Sequence, residues 1–403
     1  MSADDAGARE SSRWAWADID LDALAHNLGV LSAAADGASV WAVVKADGYG
    51  HGAVEVADAV LAAGADGLCV ALTREAVELR AAGIDAPILL LSQQPVDQAP
   101  TIVEYGLTPT VYTPEAVDAI ADAAEAAPAR PVDVHLKIDT GMQRVGAHVD
   151  DAFDLAVRIL DRPGVRLAGV FTHLAVADSI DPEHRSFTAA QLDRFESLLA
   201  RITETAAERG AVPPITHAAN SAGTLAHRRA RHSIVRAGIA LYGISPGDDI
   251  DDLAAALRPA MELRARVSFV KRVRAGSRIS YGLRHRFDAD TTVATLPIGY
   301  ADGVPRRLGT VGGEVLVGGH RCPIVGVVTM DQLMVDVGHV EEASGRSVAL
   351  GDEAVLIGSQ GSETVRAEEW ARLLDTIGYE IVCGVSARIP RRYVGGPAGR
   401  SRA

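Results

Sequence analysis

The sequence predicts an α/β protein in two parts: a (β/α)8 TIM-type barrel over residues 13–257, then a mostly β domain over 258–394. Three observations predict it. Eight short apolar runs alternate with alanine-rich stretches of helical spacing, the rhythm stops near residue 257, and short β-branched runs between Gly, Pro and Asp replace it. With 403 residues and 48% hydrophobic content, the chain can bury two cores.

The barrel strands are expected at 41–46, 67–72, 88–92, 108–113, 134–139, 167–173, 215–220 and 233–237. Helices are expected between them, for example at 73–82, with Ala76, Leu79 and Arg80 on adjoining positions. Another is expected at 186–209, where Phe187, Leu192, Phe195 and Leu198 recur at helical spacing. Eight such repeats fit a closed barrel better than an open doubly wound sheet. Beyond residue 257 the strands are expected at 267–270, 291–296, 314–317, 324–328, 333–337 and 354–357. One helix, 367–377, puts Trp370, Leu373, Leu374 and Ile377 on a packing face. Residues 1–12 and 395–403 read as flexible tails.

Composition excludes several classes. A formal net charge of -14 argues against nucleic acid as a partner. No run of about 18 apolar residues occurs, and the first residues are acidic and polar, so no membrane span or leader is expected and the location reads as cytoplasmic. Cys69, Cys322 and Cys383 are widely separated, and the 12 histidines show no His-Glu-x-x-His spacing, so no metal site is expected.

In such a barrel the chemistry sits at the carboxyl ends of the strands. The polar residues just past each run are Lys45 and Tyr49, Arg144, His173, Asn220 and Ser221, and Arg236 to Ile239. Lys45 stands out, because a core strand rarely carries an ammonium unless it is paired, deprotonated or covalently bound. The loops after strands seven and eight commonly hold a phosphate, and Ser221 and Gly238-Ile239 stand there, with Tyr49 as a further donor. Strands one and eight are neighbours in a closed barrel, so a cofactor bonded to Lys45 can reach that cradle.

Val43-Val44-Lys45-Ala46-Asp47-Gly48-Tyr49-Gly50-His51-Gly52 resembles the pyridoxal-phosphate (PLP) lysine segment of the alanine racemase family. The resemblance extends from about residue 14 to 394. It implies that Lys45 binds PLP covalently and that Tyr49, Arg144, His173, Asn220, Ser221, Arg236, Gly238, Ile239 and Tyr379 contact the cofactor. Lys137 to Gly146 resembles the segment whose arginine, here Arg144, also meets the substrate carboxylate; Lys137 is the position carboxylated in several members. Arg236 is implied to face the pyridine nitrogen and to restrain the electron sink, since an arginine keeps its proton.

Racemisation needs a proton removed from one face of Cα and returned to the other. The resemblance implies that Lys45 serves one face. Ile279-Ser280-Tyr281-Gly282 resembles the segment supplying the opposite base, Tyr281, from the other subunit, within a network of Tyr281, His173 and Arg236. Met330-Asp331-Gln332 resembles the substrate-side loop, with Met330 at the substrate. Asp178, Tyr300, Asp302 and Tyr379 match its entrance channel. Thr329 stands where many members have cysteine and Val327 where some have arginine, departures that bear on the outer channel's charge and on substrate range. The resemblance thus implies a homodimeric, PLP-dependent racemase with shared active sites, interconverting L-alanine and D-alanine for peptidoglycan. A broader racemase acting on serine is a second reading. A noncatalytic PLP barrel would lack residues 258–394, and a PLP decarboxylase fits the Lys45 and Tyr281 segments less well.

Overall fold

The computed structural model of the chain describes residues 13–127 and 131–396. Its described residues form two compact units, one of residues 23–258 and one of 13–22 with 259–396. The expected tails 1–12 and 397–403 lie outside the described residues. Gly395 and Gly396 are described, and Gly396 N–H donates to Asp22 Oδ1 at 3.0 Å, so these two are held in place.

In the first unit, eight parallel strands among the described residues close a ring. They are β1 (Ser39–Val43), β2 (Gly67–Val70), β3 (Ile88–Leu90), β4 (Thr110–Val111), β5 (Val132–Asp139), β6 (Val165–Phe171), β7 (Ile215–His217) and β8 (Ile234–Ala237). The β3–β4 junction runs through Leu90 N–H to Thr108 O at 2.9 Å. The β7–β8 junction runs through Ser233 N–H to Thr216 O at 2.9 Å and Arg236 N–H to Ala219 O at 3.1 Å. Runs such as Ile88-Leu89-Leu90 are wholly buried, as parallel strands covered by helices are.

Most barrel strands are shorter than expected or shifted by about two residues, as where 215–220 stops at His217, and two boundaries have clear local reasons. β1 stops at Val43, short of residue 46, because Ala46, Asp47, Gly48 and Tyr49 turn left-handed with φ between 52 and 59°. The long helix is Pro182–Glu208, starting before residue 186. Asp181 Oδ1 accepts from Glu183 N–H at 2.8 Å and His184 N–H at 3.2 Å, and Pro182 fits the first helical position. That first turn is exposed, so it leaves no trace in the apolar spacing.

The second unit is mostly β. Its large sheet runs His320–Pro323, Glu314–Val317, Glu353–Gln360, Met261–Arg266, Ala15–Asp20 and Arg391–Val394. A three-stranded sheet joins Phe269–Val273, Thr291–Leu296 and Leu333–Asp336. Ala15–Asp20, expected with the barrel, is therefore a strand of the β unit, antiparallel to Met261–Arg266 and parallel to Arg391–Val394. Residues 324–328 form no strand beyond a single bridge between Ile324 and Val335, since Gly326 at φ +79° breaks the extended run. The expected helix 367–377 is Ala367–Leu374, ended by Asp375 in the left-handed region, with Gly378–Cys383 following. Its packing face is carried by Trp370, 1% exposed, whereas Ile377 is 59% exposed.

Candidate active site

The barrel mouth is assembled from strand ends. Val44 N–H donates to Cys69 O at 2.9 Å, so Lys45 leaves the end of β1 next to β2. The left-handed turn follows, at a cost of about 1–2 kcal/mol for each residue with a side chain. It brings Lys45 Nζ to 6.0 Å from the Tyr49 ring centroid. Tyr49 is buried against Tyr242, with ring centroids 5.0 Å apart, and Tyr242 Oη donates to Val43 O at 2.9 Å.

Beside Tyr49 lies the corner between β7 and β8. Ser221 Oγ accepts from Gly238 N–H at 2.9 Å and from Ala240 N–H at 3.3 Å. Ile239 is fully buried and begins the short 3-10 turn Ile239–Tyr242. A Cβ at Gly238 would lie 3.0 Å from Tyr49 Oη and 3.5 Å from Ser221 Oγ, so glycine there keeps the corner open. Asn220 shapes the corner as a cap, its Oδ1 accepting from Gly223 N–H at 2.8 Å.

Arg236, at the end of β8, is buried among neutral acceptors. It donates to Thr172 O at 2.9 Å, Ala218 O at 3.1 Å, His217 Nδ1 at 2.7 Å and His173 Nδ1 at 3.3 Å. Burial lowers its pKa to about 10, which leaves it charged at neutral pH. His217 Nε2 meets His135 Nδ1 at 3.0 Å. Burial, and then the Arg236 charge, holds His173 and His217 well below the ordinary histidine range, so both are neutral acceptors.

Lys137 on β5 is buried, with Nζ donating to Leu91 O at 3.3 Å. Burial pushes its pKa down to about 7; Arg236, Arg144 and Lys45 act in the same direction and Asp139 opposes them. Arg144 is exposed on the loop after β5, where Asp139 Oδ1 accepts from Gly141 N–H at 2.9 Å and Gln143 N–H at 3.1 Å. Lys137, Arg144 and His173 line one shallow cleft. The mouth therefore gathers Lys45, Lys137, Arg144 and Arg236, a cationic lining suited to an anionic ligand. Asp178 packs against Gly247.

Residues 19–246 match the alanine racemase N-terminal domain, and residues 260–393 match the alanine racemase C-terminal domain. The chain belongs to the alanine racemase family. The alanine racemase of Symbiobacterium thermophilum is 44% identical over 386 residues, 96% of this chain and 98% of that one. That of Thermobifida fusca is 42% identical over 387 residues, covering 95% and 99%. The solved alanine racemase of Streptomyces coelicolor A3(2) superposes with a TM-score of 0.86 at 39% identity, covering 96% of this chain and 99% of its own. The Bacillus anthracis enzyme with bound L-Ala-P superposes at 0.85 with 37% identity, covering 95% of each chain.

For a member of the alanine racemase family, the remaining candidates all belong to the β unit. Tyr281 follows the short strand Arg278–Ile279 and is 72% exposed, between Ser280 at φ 65° and Gly282 at φ 72°. Ser280 Oγ donates to Val327 O at 2.9 Å, tying this loop to the one that carries Met330, which is 52% exposed. Tyr300 N–H donates to Thr329 O at 2.9 Å, and Ala301 N–H to Met330 O at 3.0 Å. At Gly299 a Cβ would sit 2.2 Å from Thr329 O, so this approach requires glycine. The loops of Tyr281, Met330 and Tyr300 are thus one cluster. Tyr379 is half-buried on the helix Gly378–Cys383.

The surroundings of three further residues are well defined. Asp302 is 0% exposed and faces no opening within its unit: its carboxylate accepts from Gly299 N–H at 3.0 Å and pairs with Arg13 and Arg388. Val327 is buried. The Thr329 hydroxyl is engaged with Gln332 O at 2.8 Å. The sequence reading missed His217, His135 and Tyr242, which hold Arg236 and Tyr49 in place. A lone histidine inside a strand has no spacing motif; the one available signal was that His217 precedes Ala218-Ala219-Asn220 at a strand end.

Proposed function

We propose that this protein is a PLP-dependent alanine racemase, working as a homodimer with shared active sites. The observation that carries this reading is the convergence, at one barrel mouth, of Lys45, the Ser221–Gly238–Tyr49 corner and a buried charged Arg236. The residues fit PLP. At the corner a Cβ on Gly238 would crowd Tyr49 Oη and Ser221 Oγ, the hydroxyls suited to a phosphate, and Arg236 offers a donor with no carboxylate among its four acceptors.

In this reading Ser221, Tyr49, Gly238 and Ile239 hold the phosphate. Arg236 donates to the pyridine nitrogen without surrendering its proton, and neutral His217 and His173 keep the guanidinium oriented. PLP, when bound, supplies the electron sink for charge developing at the substrate Cα. Arg144 receives the substrate carboxylate, with Lys137, as amine or carboxylated, orienting it. Lys45 Nζ takes or returns the Cα proton on one face, and Tyr281 of the partner subunit does so on the other. Met330 of the partner subunit borders the substrate, and Tyr300 and Tyr379 narrow the approach. The product, D-alanine, serves peptidoglycan synthesis in the cytoplasm.

The test is to incubate the PLP-loaded protein with L-alanine and separately with L-serine, then quantify each D-enantiomer beside Lys45→Ala. Fast D-alanine formation that requires Lys45 is expected. Absence of D-alanine, with the cofactor bound, would overturn the assignment.

A further inference from the structure

The left-handed turn after Lys45 is strained and has to be held from outside. Its far end is secured within the segment: Gly52 N–H donates to Asp47 O and Ala53 N–H to Asp47 Oδ1, both at 2.9 Å, and the Tyr49 ring rests on Tyr242. Its near end is held by a different group. Glu75 is the third residue of the helix Thr73–Ala81. Its Oε2 accepts from Ala71 N–H at 2.8 Å and Leu72 N–H at 3.0 Å, the ordinary work of an acidic residue at that helical position. Capping needs only one oxygen. The other, Oε1, accepts from Ala46 N–H at 2.7 Å, across 29 residues of sequence. Ala46 is the first left-handed residue and the one directly after Lys45.

We infer that Glu75 is a positioning residue for the reaction, fixing the backbone from which Lys45 projects while the phosphate corner is held independently. One carboxylate ties the loop after β1 to the loop after β2, and a charged acceptor on a backbone donor is among the stronger hydrogen bonds available. Releasing Oε1 lets Ala46 return toward the common right-handed or extended regions, which swings Lys45 away from its aim. Ser221 and Gly238 lie on another loop, and Tyr49, at the far end of the turn, is held separately by the Tyr242 ring. The inference rests on the reading of Lys45 as the covalent anchor of PLP.

The experiment compares Glu75→Asp and Glu75→Ala with the unmodified full-length chain. Aspartate can still cap Leu72 but is one methylene too short to bridge to Ala46. Affinities are measured for PLP and for pyridoxamine 5'-phosphate, which shares the ring and phosphate but has no carbonyl to bond with Lys45. Trapping of PLP on Lys45 by borohydride is followed in parallel. The expected result is a loss of PLP affinity of about tenfold or more in both variants, with pyridoxamine phosphate affinity within about twofold of the unmodified chain. Trapping should fall alongside. Equal losses for both ligands would mean that Glu75 merely keeps the helix or the mouth folded, and unchanged PLP affinity would mean that the Ala46 bond does not aim Lys45; either overturns the proposal. If the unmodified chain itself binds PLP no better than the amine and traps none, the assignment of Lys45 fails, a result distinct from any effect at Glu75.

Discussion

The barrel mouth and the Tyr281 loop cluster prepare their functional groups in opposite ways. At the mouth the side chains are fixed: Arg236 is held by four acceptors, Tyr49 by the Tyr242 ring, and Lys137 lies buried with a depressed pKa. In the loop cluster the backbone is fixed and the side chains are free to meet something else. Ser280 and Leu283 sit at φ 65° and 49°, Ser280 Oγ is bonded to Val327 O, and Tyr281, Leu283 and Met330 are exposed. The first arrangement completes an environment inside one fold. The second holds a strained backbone to present exposed apolar groups, as suits the proposed role of Tyr281 and Met330 at a neighbouring copy.

Substitutions can break or sharpen that contrast. The largest effect is expected from Lys45→Ala, which should slow racemisation by roughly 10⁴-fold and abolish reductive trapping of PLP, read from D-alanine formation and from peptide mapping. Tyr281→Phe should slow racemisation by about 10³-fold, equally in both directions because the enantiomers are equal in free energy. Its signature lies elsewhere: solvent deuterium should still enter Cα of one enantiomer and not the other. Full exchange into both would mean that Tyr281 is not the second base.

A smaller effect tests the mouth alone. Lys137 has a folded pKa of about 7 against 10.5 when free, so between those values the unfolded chain binds the extra proton and stability rises with pH. Below pH 7 the burial penalty is present in full. Lys137→Met should therefore remove about 2 kcal/mol of the rise in stability between pH 7 and 9, measured by denaturant unfolding in buffer free of carbon dioxide. An unchanged slope would mean that the lysine is not titrating there. The smallest effect should come from Met330→Ser, within about 0.5 kcal/mol on protomer stability yet with a weaker dimer, seen by sedimentation at several concentrations.

Much of this was legible in the order of residues. Runs such as Val40 to Val44 and Ile88 to Leu91 announce buried parallel strands, and the polar groups past their ends mark the mouth before any coordinates exist. Long-range pairing was not legible. Ala15–Asp20 reads as the first piece of the barrel because nothing nearby in sequence discloses its partners at Met261–Arg266 and Arg391–Val394. The left-handed turn was hidden too, since Ala46, Asp47 and Tyr49 ordinarily avoid that region and adopt it only under tertiary constraint. The ion pairs of Asp302 were hidden as well, because an aspartate beside a tyrosine in a glycine-rich loop looks alike whether it meets solvent or two arginines.

The strand Ala15–Asp20 also sets an order of events during synthesis. It leaves the ribosome ahead of the whole barrel, while both strands that flank it are translated after residue 258. The barrel can therefore close co-translationally while a leading strand, with its apolar row of Ala15, Ala17 and Ile19, remains without neighbours. That interval is when the nascent chain is most open to pairing with a stranger, and it ends only when Met261–Arg266 and finally Arg391–Val394 emerge to cover both edges.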